Sequence, residues 1–181
     1  PGSGKTALLE RLGRDWGQHH AMAVVVGDLA TDNDARRLQA AGVRAVQITT
    51  GQACHLEASM VERALEHIPL EGLELLVIEN VGNLVCPAAY DLGEAQRVVL
   101  LSVTEGEDKP LKYPATFHSA DVVVISKIDI AEVVGFDLAH ARRHIERVAP
   151  RARIVEVSAR TGEGIDDLLE ALALERLPVA A

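Results

Sequence analysis

Several residue classes are scarce in this 181-residue chain, and each shortage excludes a class of protein. Aromatic residues make up only 3% of a sequence that is 48% hydrophobic, so aliphatic side chains must fill the core. Two cysteines are too few for a disulfide framework, and no apolar run is long enough to span a membrane. Basic residues number 18 against 27 acidic ones, whereas a nucleic-acid partner needs a cationic face. We therefore expect a globular protein that binds neither membrane nor nucleic acid.

An initiator methionine is also lacking, and the chain begins inside a motif. Pro1 to Thr6 reads P-G-S-G-K-T, the second half of the phosphate-binding loop G-x-x-x-x-G-K-S/T. Backbone N–H groups of such a loop surround the β-phosphate, its lysine reaches the β- and γ-phosphates, and its threonine hydroxyl holds Mg²⁺. The loop normally follows a strand, so we expect that an upstream strand is missing and that this chain alone binds nucleotide poorly. We therefore predict that Gly2, Ser3, Gly4, Lys5 and Thr6 bind a nucleotide. A protein that uses nucleoside triphosphates is expected in the cytoplasm.

Short apolar runs alternate with helical patterns, as in parallel strands joined by helices. The alternation predicts one α/β domain over residues 1–181, a P-loop NTPase three-layer sandwich with a mainly parallel sheet that lacks its first strand. Two stretches, Asn80–Gln96 and Thr104–Phe117, are expected to be long functional loops. The predicted strands lie near Ala23–Gly27, Arg44–Ile48, Leu73–Ile78, Arg97–Val103, Asp121–Ser126 and Arg153–Val157. The predicted helices are Thr6–Trp16, Asn33–Ala41, His55–Ile68, Phe136–Val148 and Ile165–Ala173.

Carboxylates follow predicted strands at points where they would face a bound triphosphate. Asp28 ends the first predicted strand and Glu79 ends a buried one, so both are candidate partners of Mg²⁺. Gly82 lies just beyond Glu79, and its N–H is a candidate sensor of the γ-phosphate. Asp34 has two interpretations of equal weight: it orients the attacking water, or it only caps a helix.

A base-recognition pattern follows a later predicted strand. Ser126-Lys127-Ile128-Asp129 is similar to the guanine-specifying element N-K-x-D, with serine in place of the usual asparagine. Asp129 can accept hydrogen bonds from the ring N–H and the exocyclic amine of guanine, a pair that adenine does not offer. The Lys127 stem can lie along the base, and Ser158 and Ala159 are expected in a loop against the base carbonyl. Serine lacks the amide that braces the base and a neighbouring loop, so a weaker guanine preference is expected.

Cys54, His55 and Cys86 are a second group of chemistry-bearing residues. Sulfur and imidazole suit Zn²⁺, Ni²⁺ or Cu⁺ better than Mg²⁺, although a cysteine beside a histidine is more often structural. We expect Cys54 at a helix start, which would favour its thiolate. These residues provide three donor atoms, whereas a tetrahedral or square-planar metal site needs four, so water or a second copy of the chain must complete the site. Cys86 shares one loop with the γ-phosphate sensor, so hydrolysis that relaxes this loop would also disturb the metal.

Six segments, taken in order, make the sequence similar to one family. They resemble the HypB family of hydrogenase maturation GTPases, and the similarity runs across essentially the whole chain. The resemblance implies a GTP-dependent homodimer that delivers nickel to nickel–iron hydrogenase, with the small zinc-containing protein HypA and the hydrogenase large subunit as partners. The segments are P-G-S-G-K-T, G-D-L-A-T-D-N-D-A, T-T-G-Q-A-C-H-L-E-A, I-E-N-V-G-N-L-V-C-P-A, V-T-E-G-E-D-K-P-L-K-Y-P and S-K-I-D.

The resemblance also implies roles for individual residues. Its interfacial ligands for Ni²⁺ or Zn²⁺ fall on Cys54, His55 and Cys86, and its Mg²⁺-proximal acids fall on Asp28 and Glu79. The remaining roles are the phosphate loop at Gly2–Thr6 and the base-specificity element at Lys127 and Asp129.

We therefore expect a GTP-hydrolysing nickel metallochaperone, with three alternatives. A urease accessory GTPase shares the phosphate loop but resembles this chain less around Cys54-His55 and Glu79–Pro87. A small-molecule kinase would use the same loop but would have no use for Cys54 or Cys86. A metal-binding module with vestigial nucleotide hydrolysis would bind metal equally well in every nucleotide state.

Overall fold

The computed structural model describes residues 2–174, which fall into two compact units. Of the described residues, the first comprises Lys5–Gly93, and the second comprises Gly2–Gly4 together with residues 94–174. Each contains a three-stranded parallel sheet, which confirms the predicted α/β class with mainly parallel strands. The single domain over residues 1–181 stays a prediction. No helix within residues 2–174 is long and apolar enough to cross a membrane.

The sheet of the first unit is built around β1 (Met22–Asp28), which lies between β2 (Arg44–Thr49) and β3 (Leu75–Glu79). Every residue of β1 except Asp28 is buried, as expected for a central parallel strand. Parallel pairing brings the carboxyl ends of the strands to one edge, so Asp28 and Glu79 end neighbouring strands there. The helices of this unit are α1 (Lys5–Asp15), α2 (Asn33–Ala40) and α3 (Ala58–Leu65).

The sheet of the second unit has the same form, with the fully buried β5 (Val122–Ser126) between β4 (Val98–Ser102) and β6 (Arg153–Val157). Phe117 and Ile145 are fully buried in the apolar core of this unit. Ser126 and Lys127 therefore stand at the carboxyl edge of this sheet. The helices of this unit are α4 (Lys109–Lys112), α5 (Pro114–His118), α6 (Leu138–Val148) and α7 (Ile165–Ala171).

The predicted start of the third helix is wrong. α3 begins at Ala58 and not at His55. Glu57 has an extended backbone, with φ −113° and ψ 151°, and the N–H of the buried Leu56 donates to the Asn80 side chain. Cys54 is consequently not at a helix start, so the expected effect of a helix terminus on its thiolate does not apply.

Both predicted long loops contain helices. Thr104–Phe117 includes α4 and most of α5, and Asn80–Gln96 includes a 3-10 helix at Cys86–Ala89. These helices are too short to be recognised in the sequence from the spacing of apolar residues. Proline suits the first turn of a helix because its fixed φ is helical and no N–H is needed there. The prolines in these first turns are Pro87, Pro110 and Pro114.

Gly164 precedes α7 in the left-handed region, with φ 76°, and a Cβ there would lie 1.8 Å from the Glu156 carbonyl oxygen. Gly164→Ala therefore has two costs: an unfavourable left-handed backbone and a clash between the new Cβ and the Glu156 carbonyl oxygen. We expect the free energy of unfolding to fall by about 3 kcal/mol or more. Gly72→Ala is the matched control. Its φ is 73°, and apart from Gly72 itself and its two chain neighbours no atom of residues 2–174 lies within 4 Å of the added Cβ, so strain alone should cost about 1 kcal/mol. Equal losses in urea denaturation would contradict the steric argument.

Candidate functional site

Lys5 and Thr6, the first residues of α1, face the carboxylate that ends β3. The Thr6 hydroxyl oxygen lies 3.1 and 3.2 Å from the two oxygens of Glu79, and the Lys5 ammonium lies 3.7 Å from one of them. Glu79 is only 6% exposed, and burial raises its pKa against the opposing effects of the Lys5 charge and the Thr6 hydrogen bond. Hydroxyl and carboxylate oxygens are hard donors that suit Mg²⁺. The structure thus brings Glu79 to Lys5 and Thr6, although 73 positions separate Thr6 from Glu79 in the sequence.

Asp28 stabilises the turn that follows β1. One of its carboxylate oxygens accepts hydrogen bonds from the N–H groups of Ala30 and Thr31, at 3.0 and 2.9 Å. These bonds hold the pKa of Asp28 below its ordinary value. The carboxylate is therefore ionised at neutral pH, and its role near Mg²⁺ stays a prediction.

Asp34 is not a capping residue. Asp32 occupies the N-cap position of α2, and Asp34 lies inside the first turn of this helix. Its carboxylate is 3.3 Å from the guanidinium of Arg37, which also binds both carboxylate oxygens of Glu10 on α1, at 3.0 and 2.9 Å. The capping interpretation therefore does not hold for Asp34, and the water-orienting role stays a prediction.

The serine that replaces the usual asparagine contacts the phosphate-binding loop. The buried Ser126 hydroxyl donates to the carbonyl of Ser3 at 2.6 Å, and the Lys127 ammonium donates to the carbonyl of Gly2 at 2.7 Å. Lys127 has a left-handed backbone with φ 63°, which directs the chain away from β5. The expected loss of a brace to the neighbouring loop is thus wrong, because a hydroxyl makes this contact here.

Asp129 is held by two partners in the second unit. The Ser158 hydroxyl donates to one carboxylate oxygen at 2.6 Å, and the Arg160 guanidinium donates to the other at 2.7 Å. These bonds, the Ser158 bond first, lower the pKa of Asp129. Asp129 is consequently an ionised and positioned acceptor, as recognition of two guanine N–H groups would require.

The three candidate soft ligands lie close together in the first unit. The Cys54 sulfur is 3.8 Å from Nδ1 of His55. The Asn83 side chain bonds to both the Cys54 carbonyl and the Cys86 N–H, so the two cysteine backbones lie near each other. A hydrogen bond with Cys54, followed by burial, raises the pKa of the Cys86 thiol. The His55 ring stacks on the ring of Tyr90, with centroids 3.6 Å apart and planes 15° from parallel.

His55 has a buried ring nitrogen available for a ligand. Its Nε2 makes no hydrogen bond with the described part of the chain, and the Glu57 carboxylate is 3.8 Å away. A buried polar atom without a hydrogen bond is costly, so this nitrogen fits a metal ligand. Across residues 2–174 no group of three or more His, Cys, Asp or Glu side chains is arranged to hold a metal. One copy of the chain therefore presents at most a partial site.

Sequence reasoning missed three partners of the predicted residues: Arg160, Tyr90 and Asn83. Nothing in the sequence pairs Arg160 with Asp129 or Tyr90 with His55, because these contacts depend on how distant segments fold. Asn83 had a usable signal, since asparagine often bonds backbone N–H groups a few residues further on. Its side chain does so here, and it also reaches Cys54.

Comparison with known proteins identifies the class first. The family described as "CobW/HypB/UreG, nucleotide-binding domain" matches residues 1–156. The phosphate-binding loop, the parallel sheets and this match agree, and the chain belongs to this family of nucleotide-binding proteins. Its relatives then place it in the HypB group of the family, which confirms the resemblance found in the sequence.

Two relatives illustrate the similarity. The hydrogenase maturation factor HypB of Azotobacter chroococcum mcd 1 is 53% identical over 178 residues, covering 97% of this chain and 58% of that protein. The hydrogenase/urease maturation factor HypB of Helicobacter pylori is 49% identical over 171 residues, covering 92% of this chain and 70% of that protein. The chain thus spans a little over half the length of the Azotobacter relative.

Two solved structures share the fold. The crystal structure of HypB from Helicobacter pylori in complex with nickel has a TM-score of 0.89 at 46% identity, covering 100% of this chain and 87% of that one. HypB from Archaeoglobus fulgidus has a TM-score of 0.86 at 41% identity, covering 95% and 84%. These similarities confirm the predicted P-loop NTPase fold.

Proposed function

We propose that this chain is the GTPase domain of a cytoplasmic factor that delivers nickel during hydrogenase maturation. It acts as a GTP-dependent homodimer, with HypA and the hydrogenase large subunit as partners. One observation carries the proposal. A single segment begins at Glu79, which is bonded to Thr6 of the phosphate-binding loop, and reaches Cys86, whose N–H is linked to the Cys54 carbonyl through the Asn83 side chain. A phosphate-loop contact and one thiol of the candidate metal site on the same segment suit a switch in which nucleotide state governs metal binding.

The proposed reaction is hydrolysis of GTP. Water attacks the γ-phosphorus, the bond from this phosphorus to the β–γ bridging oxygen breaks, and GDP and inorganic phosphate leave. Lys5 neutralises charge on the β- and γ-phosphates, Asp34 orients the water, and the Gly82 N–H contacts the γ-phosphate. Thr6 and Glu79 would hold Mg²⁺, which supplies charge neutralisation at the phosphate oxygens. Catalysis of this kind depends on positioning and electrostatics, and slow turnover suits a switch.

The proposed cargo site consists of Cys54, His55 and Cys86. Two sulfurs and one imidazole suit Ni²⁺ and also Zn²⁺, and the crystal structure of the similar Helicobacter pylori protein is a complex with nickel. Because one chain presents only a partial site, the proposal assigns the remaining ligands to a second copy of the chain or to water.

A second candidate role is nickel delivery for urease. It is favoured by the Helicobacter pylori relative, whose name covers both hydrogenase and urease maturation. Deleting the gene and assaying nickel-dependent hydrogenase and urease in the same cells separates the two roles. A defect confined to hydrogenase supports the first proposal, and a urease defect supports the second.

Guanine specificity provides a direct test of the nucleotide site. The measurement uses the full-length protein, because this chain spans only 58% of the length of the Azotobacter relative. We expect Asp129→Asn to weaken GTP binding about 100-fold, because two charge-assisted hydrogen bonds to guanine become one neutral bond and one mismatch. The same variant should gain affinity for xanthosine triphosphate, whose carbonyl can accept a bond from the new amide.

Arg160→Ala is the matched control for this substitution. It removes a partner of Asp129 while retaining both the carboxylate and the Ser158 bond, so preference for GTP over ATP should persist. Calorimetric titration with GTP, xanthosine triphosphate and ATP is carried out on the parent and on both variants. Parent protein that binds ATP as tightly as GTP would contradict the proposal.

A further inference from the structure

Asn83 uses both ends of its side-chain amide on the two segments that carry the thiols. Its amide nitrogen donates to the carbonyl of Cys54. Its amide oxygen accepts from the N–H groups of Val85 and Cys86, at 3.0 and 2.9 Å. The bond to Cys54 spans two segments that are distant in sequence, whereas the other two bonds shape the turn that leads into Cys86. One side chain thus fixes both cysteine backbones relative to each other.

Asn80 makes a parallel connection one step closer to the phosphate-binding loop. Its side-chain oxygen accepts from the N–H groups of Leu56 and Val81, at 3.0 and 2.9 Å. Leu56 is fully buried, so this bond anchors the thiol segment to the core. Asn80 directly follows Glu79, which contacts Lys5 and Thr6. The connection therefore runs from Lys5 and Thr6 through Glu79 and Asn80 to Leu56, two residues after Cys54.

By fixing the two cysteine backbones, Asn83 can prepare Cys54 and Cys86 to bind one metal ion together. Cys54 is exposed, and an exposed segment with no tertiary bond would lose conformational entropy when a metal ordered it. Asn83 avoids this loss by fixing the segment beforehand. A neutral amide neither competes for the metal nor changes charge with pH, and bonds to backbone groups leave both sulfurs available. Partners that orient ligands without binding the metal are known to raise metal affinity by 10–100-fold.

We propose that Asn83 is a positioning residue that holds Cys54 and Cys86 as one bidentate site and links this site to nucleotide state. The inference rests on the proposed function, because it takes the thiol pair to be the nickel site. Gly82, the proposed γ-phosphate sensor, is the preceding residue, so a shift of Gly82 carries Asn83 with it. Both thiol segments then respond together, which is how a small change at phosphate alters a metal site.

The test compares Asn83→Ala with Asn83→Ser in the full-length protein. Alanine removes all three bonds. Serine can still accept from the N–H groups of Val85 and Cys86, as serine does in turns, but it is too short to bridge to Cys54. We expect Ni²⁺ affinity, measured by competition with a chromophoric chelator, to fall about 10-fold or more for alanine and less for serine. Asn33→Ala, an exposed asparagine at the start of α2, is the matched control and should stay within about twofold of the parent.

Two further readouts separate positioning from general damage. The thiolate-to-Ni²⁺ absorption of the saturated Asn83→Ala variant should be weaker than that of the parent, because one sulfur no longer reaches the metal. The ratio of Ni²⁺ affinities with GTP and with GDP should move toward one, while GTP affinity itself stays unchanged. Parent-like Ni²⁺ affinity and absorption in both Asn83 variants would overturn the inference, and so would equal losses of Ni²⁺ and GTP binding. Failure of the proposed function is a different result, in which Cys54→Ser leaves Ni²⁺ affinity unchanged.

Discussion

Cys54→Ser in the full-length protein is expected to weaken Ni²⁺ binding by about 10³-fold. The substitution replaces a soft thiolate donor by a hydroxyl that Ni²⁺ binds poorly, and it leaves Cys86 without its neighbouring sulfur. Replacing a ligand should cost more than the 10–100-fold typical of residues that only support a ligand. Serine is nearly the same size as cysteine, and Cys54 is exposed, so the fold should be unaffected. Cys86→Ser is expected to give a loss of the same order.

The titration needs a background in which a pair of histidines on α6 cannot bind the metal. His140 and His144 lie one helical turn apart on α6, with ring centroids 4.2 Å apart, and histidines at this spacing bind transition metals. The measurements are therefore made in a His140→Ala background, with GTP, GDP and ATP present in turn. Ni²⁺ affinity that survives Cys54→Ser would contradict the cargo site. Affinity that is the same in all three nucleotide states would favour a metal-binding module whose hydrolysis is vestigial.

Much of the fold follows from sequence because its strands are simple to recognise. β1 and β5 are continuous apolar runs that the structure buries throughout, apart from Asp28 at the end of β1. The residues after such runs must lie at the carboxyl edge of a parallel sheet. This reasoning correctly placed Asp129 just after β5, where it lies in a short 3-10 helix (Ile128–Ile130). It also placed Glu79 at the end of β3, although β3 is only partly buried before Glu79 and not fully buried as predicted.

The connections and the contacts of the candidate site were less predictable. The start of α3 depends on a bond from Leu56 to Asn80, which is a tertiary contact with no local signal. Arg160 and Tyr90 likewise meet their partners only after distant loops fold. Local patterns report the preference of a segment for helix or strand, whereas these side chains are placed by the packing of other segments.

Glu79→Gln is expected to lower GTP hydrolysis by roughly 10³-fold while making the nucleotide-free protein more stable. The loss of activity follows from the proposal that this carboxylate helps hold Mg²⁺, whose charge stabilises the transition state. The gain in stability follows from burial, which raises the pKa of Glu79 above its ordinary value of 4.5. An acid with a raised pKa in the folded state destabilises the fold as pH rises from the ordinary value through the raised one.

Glutamine removes this buried charge and still accepts the Thr6 hydrogen bond, and the partly exposed Lys5 ammonium can be solvated. We expect a gain of about 1 kcal/mol at pH 7, or roughly 2–4 °C in Tm, which should vanish below pH 4.5. Asp28→Asn is the control of opposite sign. The lowered pKa of Asp28 marks a carboxylate that stabilises the fold when ionised. This variant should therefore be less stable than the parent at pH 7 and equally stable at low pH. Calorimetric unfolding from about pH 2 to 8 tests both, because this range extends below the lowered pKa of Asp28 and above the raised pKa of Glu79, and phosphate release near neutral pH measures the activity. If Glu79→Gln reduced stability and activity together, Glu79 would be a structural residue and not a charge kept buried for Mg²⁺.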